Sequence, residues 1–308
     1  MFEKYNTQYA KRFYKGQKRK FREAIQEDFK TLGYSSLVDE RRIRMSKVSN
    51  LMIGNFKTAK NIIVVPYDTP SRIFWPNYKY YPQEGNYFMK KNFLPTYGPM
   101  LLSYAFLLFL VYVVPKYLPL EAQFVLFAIS ILYLIGVLTL IIKGFPNSKN
   151  AIRNTASIAM AYDIAEKLST DKRKECAFVF MDYASVKSFG AQALEEFMKD
   201  RQRKTNKIIL YCIGSGNEMS IGYAKGNRKE ASDLSKRYKG SLKSSNRSMD
   251  VADCMNTPMD SLQNAIIVST GETQDSHFCV KNTASSKDRE YDKETYESIK
   301  NMVLDYLK

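Results

Sequence analysis

Two long apolar runs interrupt an otherwise mixed pattern of hydrophobic and polar positions. Residues 97–114 (YGPMLLSYAFLLFLVYVV) and 124–142 (FVLFAISILYLIGVLTLII) contain no charged side chain. Each run is close to the roughly 20 residues that a helix needs to cross a bilayer. Neither run leaves the polar stripe that a helix of a soluble protein turns toward water. The pattern predicts two membrane-spanning helices, with a pair of buried core helices as the alternative.

The short connector between these runs, PKYLPLE at 115–121, predicts that the two helices form a hairpin. Basic residues concentrate on the flanks of the hairpin, at Lys90, Lys91, Lys143, Lys149 and Arg153. The connector has only Lys116, beside Glu121. Because Lys and Arg are enriched on the cytoplasmic side of membrane spans, we expect a multi-pass protein of the cell membrane whose soluble part is cytoplasmic.

Outside the hairpin, short β-branched runs alternate with helical patterns. The predicted strands are NLMIGN (50–55), NIIVV (61–65), CAFVFMD (176–182), KIILYCIG (207–214) and AIIVSTG (265–271). The predicted helices are NTASIAMAYDIAEKL (154–168), SFGAQALEEFMKD (188–200) and the C-terminal 291–308, while 222–248 is interpreted as a crossover helix and a loop. This alternation predicts a three-layer α/β/α sandwich with a mostly parallel mixed sheet, interrupted by the transmembrane hairpin.

The same pattern divides the chain into four segments. A basic N-terminal helical region covers 1–47, and the first part of the α/β domain covers 48–93. The hairpin is an insertion at 94–146, and the remainder of the domain covers 147–308.

The charge of the chain favours an anionic neighbour. The 308 residues carry a formal net charge of +16, from 47 Lys and Arg against 31 Asp and Glu. The stretch KRFYKGQKRKFR at 11–22 holds no acidic residue, and beside a membrane it favours contact with anionic lipid through Lys18, Arg19 and Lys20. A solvated helix face is the alternative. No nucleic-acid-binding motif accompanies the charge, so nucleic acid is not an expected partner.

An aromatic-rich segment precedes the first apolar run. Residues 74–88 read FWPNYKYYPQEGNYF. Aromatic rings prefer the headgroup region of a bilayer. The segment therefore predicts an interfacial belt in which Trp75 contacts the membrane, with a platform for a peptide or carbohydrate as the alternative.

Five short fragments follow one another at predicted strand ends and helix starts. They are YDTP (67–70), RNTAS (153–157), DYASVKSFGA (182–191), LYCIG (210–214) and NTASSKD (282–288). Their order resembles that of the zinc aminopeptidases of metallopeptidase family twenty-eight, especially the membrane-anchored bacterial members. The corresponding motifs of that family are His-Tyr-Asp-Thr-Pro, Asp-Asn-Thr-Ser-Gly, Ala-Glu-Glu, Leu-Asp-x-Ile-Gly and a C-terminal His-Thr. The resemblance covers about residues 48–308 with the hairpin as an insertion.

The resemblance implies two zinc ions held by imidazole and carboxylate ligands, but the matching positions of this chain lack such side chains. The first histidine falls on Pro66, the bridging aspartate on Arg153, the general-base glutamate on Ala184, the neighbouring glutamate on Ser185, the next acid on Tyr211 and the last histidine on Asn282. The whole chain contains one histidine, His277. We therefore expect a degenerate site without metal or other cofactor.

Arg153 argues most strongly against a metal. A permanent cation about 4 Å from a divalent ion would be repelled by roughly 8 kcal/mol at an effective dielectric constant of 20. The retained Asp68, a buried anion, would then need a partner. We hypothesise that Arg153 forms an ion pair with Asp68 where the metals lie in the family.

These observations favour a catalytically inactive, membrane-bound pseudopeptidase that binds a protein or peptide partner at the cytoplasmic face. One alternative is an active membrane-bound metallo-aminopeptidase or hydrolase with a non-standard site, for which Cys212, Tyr211 and Ser185 offer substitute groups. Another is a scaffold that acts through its basic surfaces, at the N-terminus and at 222–248.

Overall fold

The computed structural model describes residues 1–184, 188–199 and 205–308. Its helices are α1 (Phe2–Thr7), α2 (Lys15–Thr31), α3 (Gly85–Lys91), α4 (Phe93–Tyr112), α5 (Leu120–Lys143), α6 (Ala156–Lys167), α7 (Thr170–Glu175), α8 (Phe189–Lys199), α9 (Arg228–Ser235), α10 (Val251–Cys254) and α11 (Lys293–Leu307). A 3-10 turn covers Val114–Tyr117, and a π-helical turn at Ala151–Thr155 leads into α6.

The strands form one mixed sheet. They are β1 (Ser36–Ile43), β2 (Ser46–Ile53), β3 (Asn61–Pro66), β4 (Lys79–Tyr80), β5 (Cys176–Met181), β6 (Asn206–Leu210), β7 (Glu218–Ala224), β8 (Lys243–Met249), β9 (Ala265–Gln274) and β10 (His277–Lys281). The strand order is β1-β2-β5-β3-β6-β9-β10-β4, and β7 pairs with both β8 and β9. The central strands β5, β3, β6 and β9 run parallel, whereas β1, β2, β10 and β4 pair antiparallel.

Apolar side chains cover both faces of this sheet. Along β3, Ile63 and Val65 belong to one buried cluster, and Ile62 and Val64 belong to the other. This alternation follows from the two-residue period of a strand, which sends successive side chains to opposite faces. The first cluster joins the sheet to helices α1, α2, α6 and α11, and the second joins it to α8. The predicted α/β/α sandwich is therefore present.

The N-terminal region differs from the predicted basic helical segment in two ways. Tyr5, Phe21 and Phe29 are fully buried in the first apolar cluster, so α1 and α2 are part of the main core. The residues after α2 form the hairpin of β1 and β2, which extends the sheet at its edge. Phe21, Ile25 and Phe29 recur every four residues, a spacing that predicts one apolar side of a helix, and this side of α2 packs into the core.

The interpretation of 222–248 as a helix and a loop is wrong in part. The segment includes the end of β7, helix α9 and most of β8. Strand β8 is polar, with alternating exposed and half-buried positions, and it lies at the edge of the sheet beside β7. An edge strand needs little apolar surface, so its sequence resembles that of a loop.

Helices α4 and α5 project from the sandwich as a hairpin. Within the most apolar part of each helix only 6% of the residues are buried in the protein, so these are not core helices. Both are long and apolar enough to cross a membrane. The Ser103 and Tyr133 hydroxyls lie 2.7 Å apart between them. The predicted hairpin is therefore present as a structural unit.

Candidate functional site

The carboxyl ends of the parallel strands bring most of the predicted site positions together. Asp68 follows β3, Ala184 follows β5 and Tyr211 follows β6. The Asp68 Oδ1 atom accepts a hydrogen bond from the Ala184 N–H at 2.9 Å. Ligands of open α/β sheets bind at this edge. Pro66 lies buried at the end of β3, and Ser185 lies outside the described residues.

Arg153 contacts two aromatic rings, one of which is Tyr211 of this region. Its guanidinium carbon is 3.3 Å from the ring centroid of Tyr80 and 4.9 Å from that of Tyr211. The Arg153 side chain is buried, and within the described residues its Nε and Nη1 atoms have no hydrogen-bond partner. A cation over the face of a ring is attracted by the ring quadrupole, most strongly away from water. The rings therefore stabilise the guanidinium.

The hypothesis of an ion pair between Arg153 and Asp68 is wrong. Within the described residues, the Arg153 guanidinium is engaged by Tyr80 and Tyr211 and makes no ion pair with Asp68. Asp68 is held by other groups: Ala184 donates to its carboxylate, and the Asn154 side chain donates to its carbonyl oxygen at 2.7 Å. Sequence reasoning supplied Asp68 with the wrong partner because it did not place an aromatic ring beside Arg153.

Tyr80 comes from the aromatic-rich segment at 74–88, which includes strand β4. Strand β4 pairs antiparallel with β10, and the Asn282 N–H donates to the Tyr78 carbonyl at 2.9 Å. Tyr78 and Tyr80 are buried in the second apolar cluster together with Tyr211. The aromatic-rich segment is therefore not a continuous interfacial belt. Tyr78, Tyr80 and Tyr81 lie inside the protein, while Phe74 and Trp75 are exposed.

These tyrosines are neutral at physiological pH. Burial raises the pKa of Tyr80 and raises that of Tyr211 well above its ordinary value, although Arg153 lowers both. Burial also raises the pKa of Tyr78. None of the three is therefore a phenolate that could replace a carboxylate ligand.

Two further charged groups fix the backbone around Arg153. The Asp288 carboxylate accepts from the Ile152 N–H at 2.6 Å and from the Arg153 N–H at 3.2 Å, which secures the π-helical turn before α6. Burial raises the pKa of Asp288 to about 7, although these hydrogen bonds and the nearby Arg153 and Arg12 lower it. Asp288 ends the fragment NTASSKD, but sequence reasoning singled out only Asn282 there.

Arg12 is the other group that sequence reasoning missed. Its side chain is fully buried and donates to the carbonyl oxygens of Tyr67 and Tyr9, at 2.7 and 2.6 Å, and to the Thr155 hydroxyl at 3.2 Å. Burial lowers the pKa of Arg12 to about 9, while Asp68 and Asp288 raise it. Arg12 thus ties the N-terminus to β3 and to the start of α6.

The predicted membrane contacts separate into buried and exposed residues. Lys18 is buried: its Nζ lies 2.6 Å from the Asp182 Oδ1 and 4.1 Å from the ring centroid of Tyr183. The expectation that Lys18 contacts lipid is therefore wrong, because its charge is already paired inside the protein. Arg19 is exposed and lies 3.6 Å from Glu23. Lys20 is exposed, and Trp75 is 38% exposed.

Cys212 is poorly suited to be a nucleophile. The residue is fully buried with a left-handed backbone (φ 59°), and burial raises the pKa of its thiol to about 12. Arg153 lowers that pKa, but less than burial raises it. The thiolate that nucleophilic catalysis requires is thus disfavoured.

His277 lies outside this region. It begins β10, stacks on Tyr87 with ring centroids 3.5 Å apart, and pairs through Nδ1 with the buried Glu84. Glu84 also pairs with Arg247 and accepts from the Phe278 N–H at 3.0 Å. The only histidine of the chain therefore serves a structural contact at the start of α3.

The residues at the strand ends do not fit two zinc ions. The side chains of Pro66 and Ala184 have no ligand atom, Tyr211 is neutral, and Arg153 places a cation against the Tyr211 ring. Across residues 1–184, 188–199 and 205–308, no group of three or more His, Cys, Asp or Glu side chains is arranged to hold a metal ion. A tyrosine-lined arginine thus stands where the resemblance places the metals.

Comparison with solved structures shows the fold. The LapA aminopeptidase of Legionella pneumophila is 9% identical with a TM-score of 0.59, over 99% of this chain and 70% of that protein. A Zn-dependent exopeptidase from Parabacteroides distasonis is 10% identical with a TM-score of 0.59, over 98% and 94% of the two chains. The glutaminyl cyclase of Tannerella forsythia is 10% identical with a TM-score of 0.55, over 99% and 96%.

No family model and no curated protein sequence matches the chain. At 9 to 10% identity these likenesses establish a zinc-aminopeptidase-like fold and leave the activity to the residues themselves.

Proposed function

We propose that this chain is a non-catalytic, zinc-aminopeptidase-like protein, anchored in a membrane by its hairpin, that binds a protein or peptide partner at the cytoplasmic face. The observation that carries the proposal is the guanidinium of Arg153, 3.3 Å from the ring centroid of Tyr80, at a residue that the sequence resemblance matches to the bridging aspartate. A di-zinc site needs an anion at this position, and a cation there opposes metal binding.

Two buried tyrosines beside Arg153 give a second argument for the same proposal. Tyr78 and Tyr80 are 4% and 2% exposed and pack with Tyr211 beside Arg153, so this part of the protein is filled by its own side chains. The sequence resemblance matches the general base to Ala184 and a histidine ligand to Asn282. Proton transfer and metal binding would therefore both be lost. A domain without these two functions acts by binding. Its partner contacts the outer surface of the domain rather than the region around Arg153.

The membrane part of the proposal rests on the hairpin. Many of the apolar side chains of α4 and α5 are exposed, including Leu102 at 73% and Phe124 at 70%. An apolar surface of this extent is stable in lipid and not in water. The basic flanks and the connector, which has Lys116 as its single basic residue, favour a cytoplasmic domain.

The first test measures zinc content and aminopeptidase activity of the full chain purified in detergent. We expect zinc far below one ion per chain and no chelator-sensitive hydrolysis of aminoacyl fluorogenic substrates. An active zinc aminopeptidase of the same fold, purified in the same detergent, is the positive control. About two zinc ions per chain, with hydrolysis that a chelator abolishes, would refute the proposal.

A further inference from the structure

The end of the second hairpin helix rests on the start of α2. Gly144 terminates α5 with φ at 66°, and a Cβ there would lie 2.9 Å from both Phe13 Cζ and Ser71 Oγ. The Tyr14 hydroxyl donates to the Gly144 carbonyl at 3.4 Å. The basic stretch at 11–15 is therefore held beside the point where α5 leaves the apolar hairpin.

The segment after Pro70 closes the other side of the same point. The Arg72 N–H donates to the Phe145 carbonyl at 2.7 Å, and the rings of Phe74 and Phe145 lie 5.6 Å apart, edge to face. The Trp75 indole reaches the first turns of α4, since a Cβ on Gly98 would lie 3.9 Å from its Cζ3 atom. Both ends of the hairpin therefore meet the soluble domain at one surface.

We define this surface as the basal collar. Its members are exposed residues that touch or directly flank the ends of α4 and α5: Lys11, Tyr14, Lys15, Arg72, Phe74, Trp75 and Phe145. The aromatic members remain open to the surroundings, with exposed fractions of 41% for Tyr14, 59% for Phe74, 38% for Trp75 and 43% for Phe145.

The basic members of the collar have no acidic partner. Within the described residues, Lys11, Lys15 and Arg72 form no ion pair, and the Arg72 guanidinium instead lies 4.9 Å from the ring centroid of Phe74. Residues 9–20 contain no Asp or Glu. The exposed Lys90 and Lys91, at the end of α3, add positive charge beside the start of α4. The collar therefore carries a net positive charge that the protein does not neutralise.

We propose that the basal collar binds the headgroups of anionic phospholipids, with Lys11, Lys15 and Arg72 on the phosphates and the exposed rings at the interface. The inference rests on the proposed membrane anchorage and adds the class of lipid. Aromatic rings with apolar bodies settle at the headgroup level, and Lys and Arg near an anionic leaflet gain electrostatic attraction. The collar residues make the lipid contact instead of Lys18, because Asp182 already neutralises the charge of Lys18.

The single tryptophan of the chain lies in the collar and reports its lipid neighbours. The full chain is reconstituted into nanodiscs of mixed phosphatidylglycerol and phosphatidylcholine. A small, equal fraction of one or the other lipid carries a nitroxide near the top of its acyl chain, which quenches a nearby indole. We expect labelled phosphatidylglycerol to quench Trp75 about threefold more than labelled phosphatidylcholine.

A charge-matched pair of variants separates the collar from the net charge of the protein. The collar variant combines Lys11→Gln, Lys15→Gln and Arg72→Gln, and it is expected to bring the quenching ratio close to one. The control variant combines Lys225→Gln, Arg228→Gln and Lys229→Gln, three exposed residues at the end of β7 and the start of α9. The control is expected to keep the ratio of the unmodified chain.

The other outcomes each identify what fails. Equal quenching by the two labelled lipids in the unmodified chain would overturn the collar and leave the membrane anchorage intact. A ratio that falls equally in both variants would overturn it in favour of bulk charge. No quenching by either lipid would show that Trp75 does not reach the bilayer surface, which refutes the collar but not the anchorage by the hairpin.

Discussion

The guanidinium of Arg153 lies against the face of Tyr80, with 3.3 Å between the guanidinium carbon and the ring centroid. The two residues come from opposite sides of the hairpin insertion in the sequence. Tyr80 reaches the site because β4 pairs with β10, and Arg153 reaches it through the turn that Asp288 holds before α6. The contact thus joins the two parts of the α/β domain, at the position where the sequence resemblance predicts the metals.

Removing the aromatic face of Tyr80 should destabilise the fold. In Tyr80→Leu the buried guanidinium loses its nearest ring, so we expect the free energy of unfolding to fall by about 2–4 kcal/mol. Denaturant unfolding in detergent, followed by circular dichroism, measures the change. Tyr80→Phe is the matched control, because it keeps the ring face and should lose about 1 kcal/mol or less. Equal losses in the two variants would show that the stacking on Arg153 contributes nothing.

The Lys18–Asp182 pair predicts a large difference between neighbouring lysines. Lys18→Ala leaves the Asp182 carboxylate buried without its cation, although the N–H groups of Ser49 and Tyr183 still donate to it. We expect a loss of about 3–5 kcal/mol in the free energy of unfolding. Lys20→Ala, on the exposed side of the same helix, should change it by about 0.5 kcal/mol or less.

A double variant then tests whether the charge itself is responsible. Lys18→Ala combined with Asp182→Asn removes both charges, and we expect it to be less destabilised than the sum of the two single variants. Strictly additive losses would mean that the two side chains act independently of their ion pair.

Asp288 predicts that part of the stability depends on pH. Its pKa is raised to about 7 in the folded protein by burial, against about 3.9 in the unfolded chain. Between these values the folded state holds a proton that the unfolded state has released, so the contribution is fully present below pH 4 and is lost as the pH rises through 7. The largest change that this group alone can produce is about 4 kcal/mol.

The measurement compares the unmodified chain with Asp288→Asn between pH 4 and 8. At pH 4 the variant should be less stable, because its amide has one acceptor oxygen where Asp288 offers two, to the N–H groups of Ile152 and Arg153. Its free energy of unfolding should fall less steeply with rising pH than that of the unmodified chain. Parallel pH profiles would refute a raised pKa at Asp288.

Strands with a strong apolar signal could be predicted from the sequence, and those that are polar or very short could not. The runs NIIVV and CAFVFMD became β3 and β5, because strands buried on both faces read as continuous apolar segments. Strand β4 has two residues, and its pairing with β10 depends on side chains distant in the sequence. No local pattern could therefore place Tyr80 on Arg153.

For the site, sequence reasoning identified positions but not partners. It named Asp68 and Ala184 separately, and the structure joins them by a hydrogen bond. It treated Lys18 as one charge in a basic run, since burial of a lysine beside an acid from another strand leaves no local trace. It placed Asp182 at the start of the fragment DYASVKSFGA and assigned Asp182 no role. Composition and motif order predict a fold well, whereas ion pairs form between residues that the sequence keeps apart.

The hairpin predicts a sidedness that cysteine labelling can measure. Tyr117, 81% exposed in the connector, and Lys236, exposed after α9, are each replaced by cysteine in separate variants. In intact bacterial host cells, a membrane-impermeant maleimide should label Tyr117→Cys and spare Lys236→Cys, because the basic flanks retain the domain on the cytoplasmic side. In inside-out vesicles the order should reverse.

Of the native cysteines, Cys176, Cys212 and Cys279 are buried, so the unmodified chain measures the remaining background from Cys254. Labelling of Lys236→Cys but not Tyr117→Cys in intact cells would place the domain outside the cell. Equal labelling of both variants in inside-out vesicles would mean that the hairpin does not span the membrane.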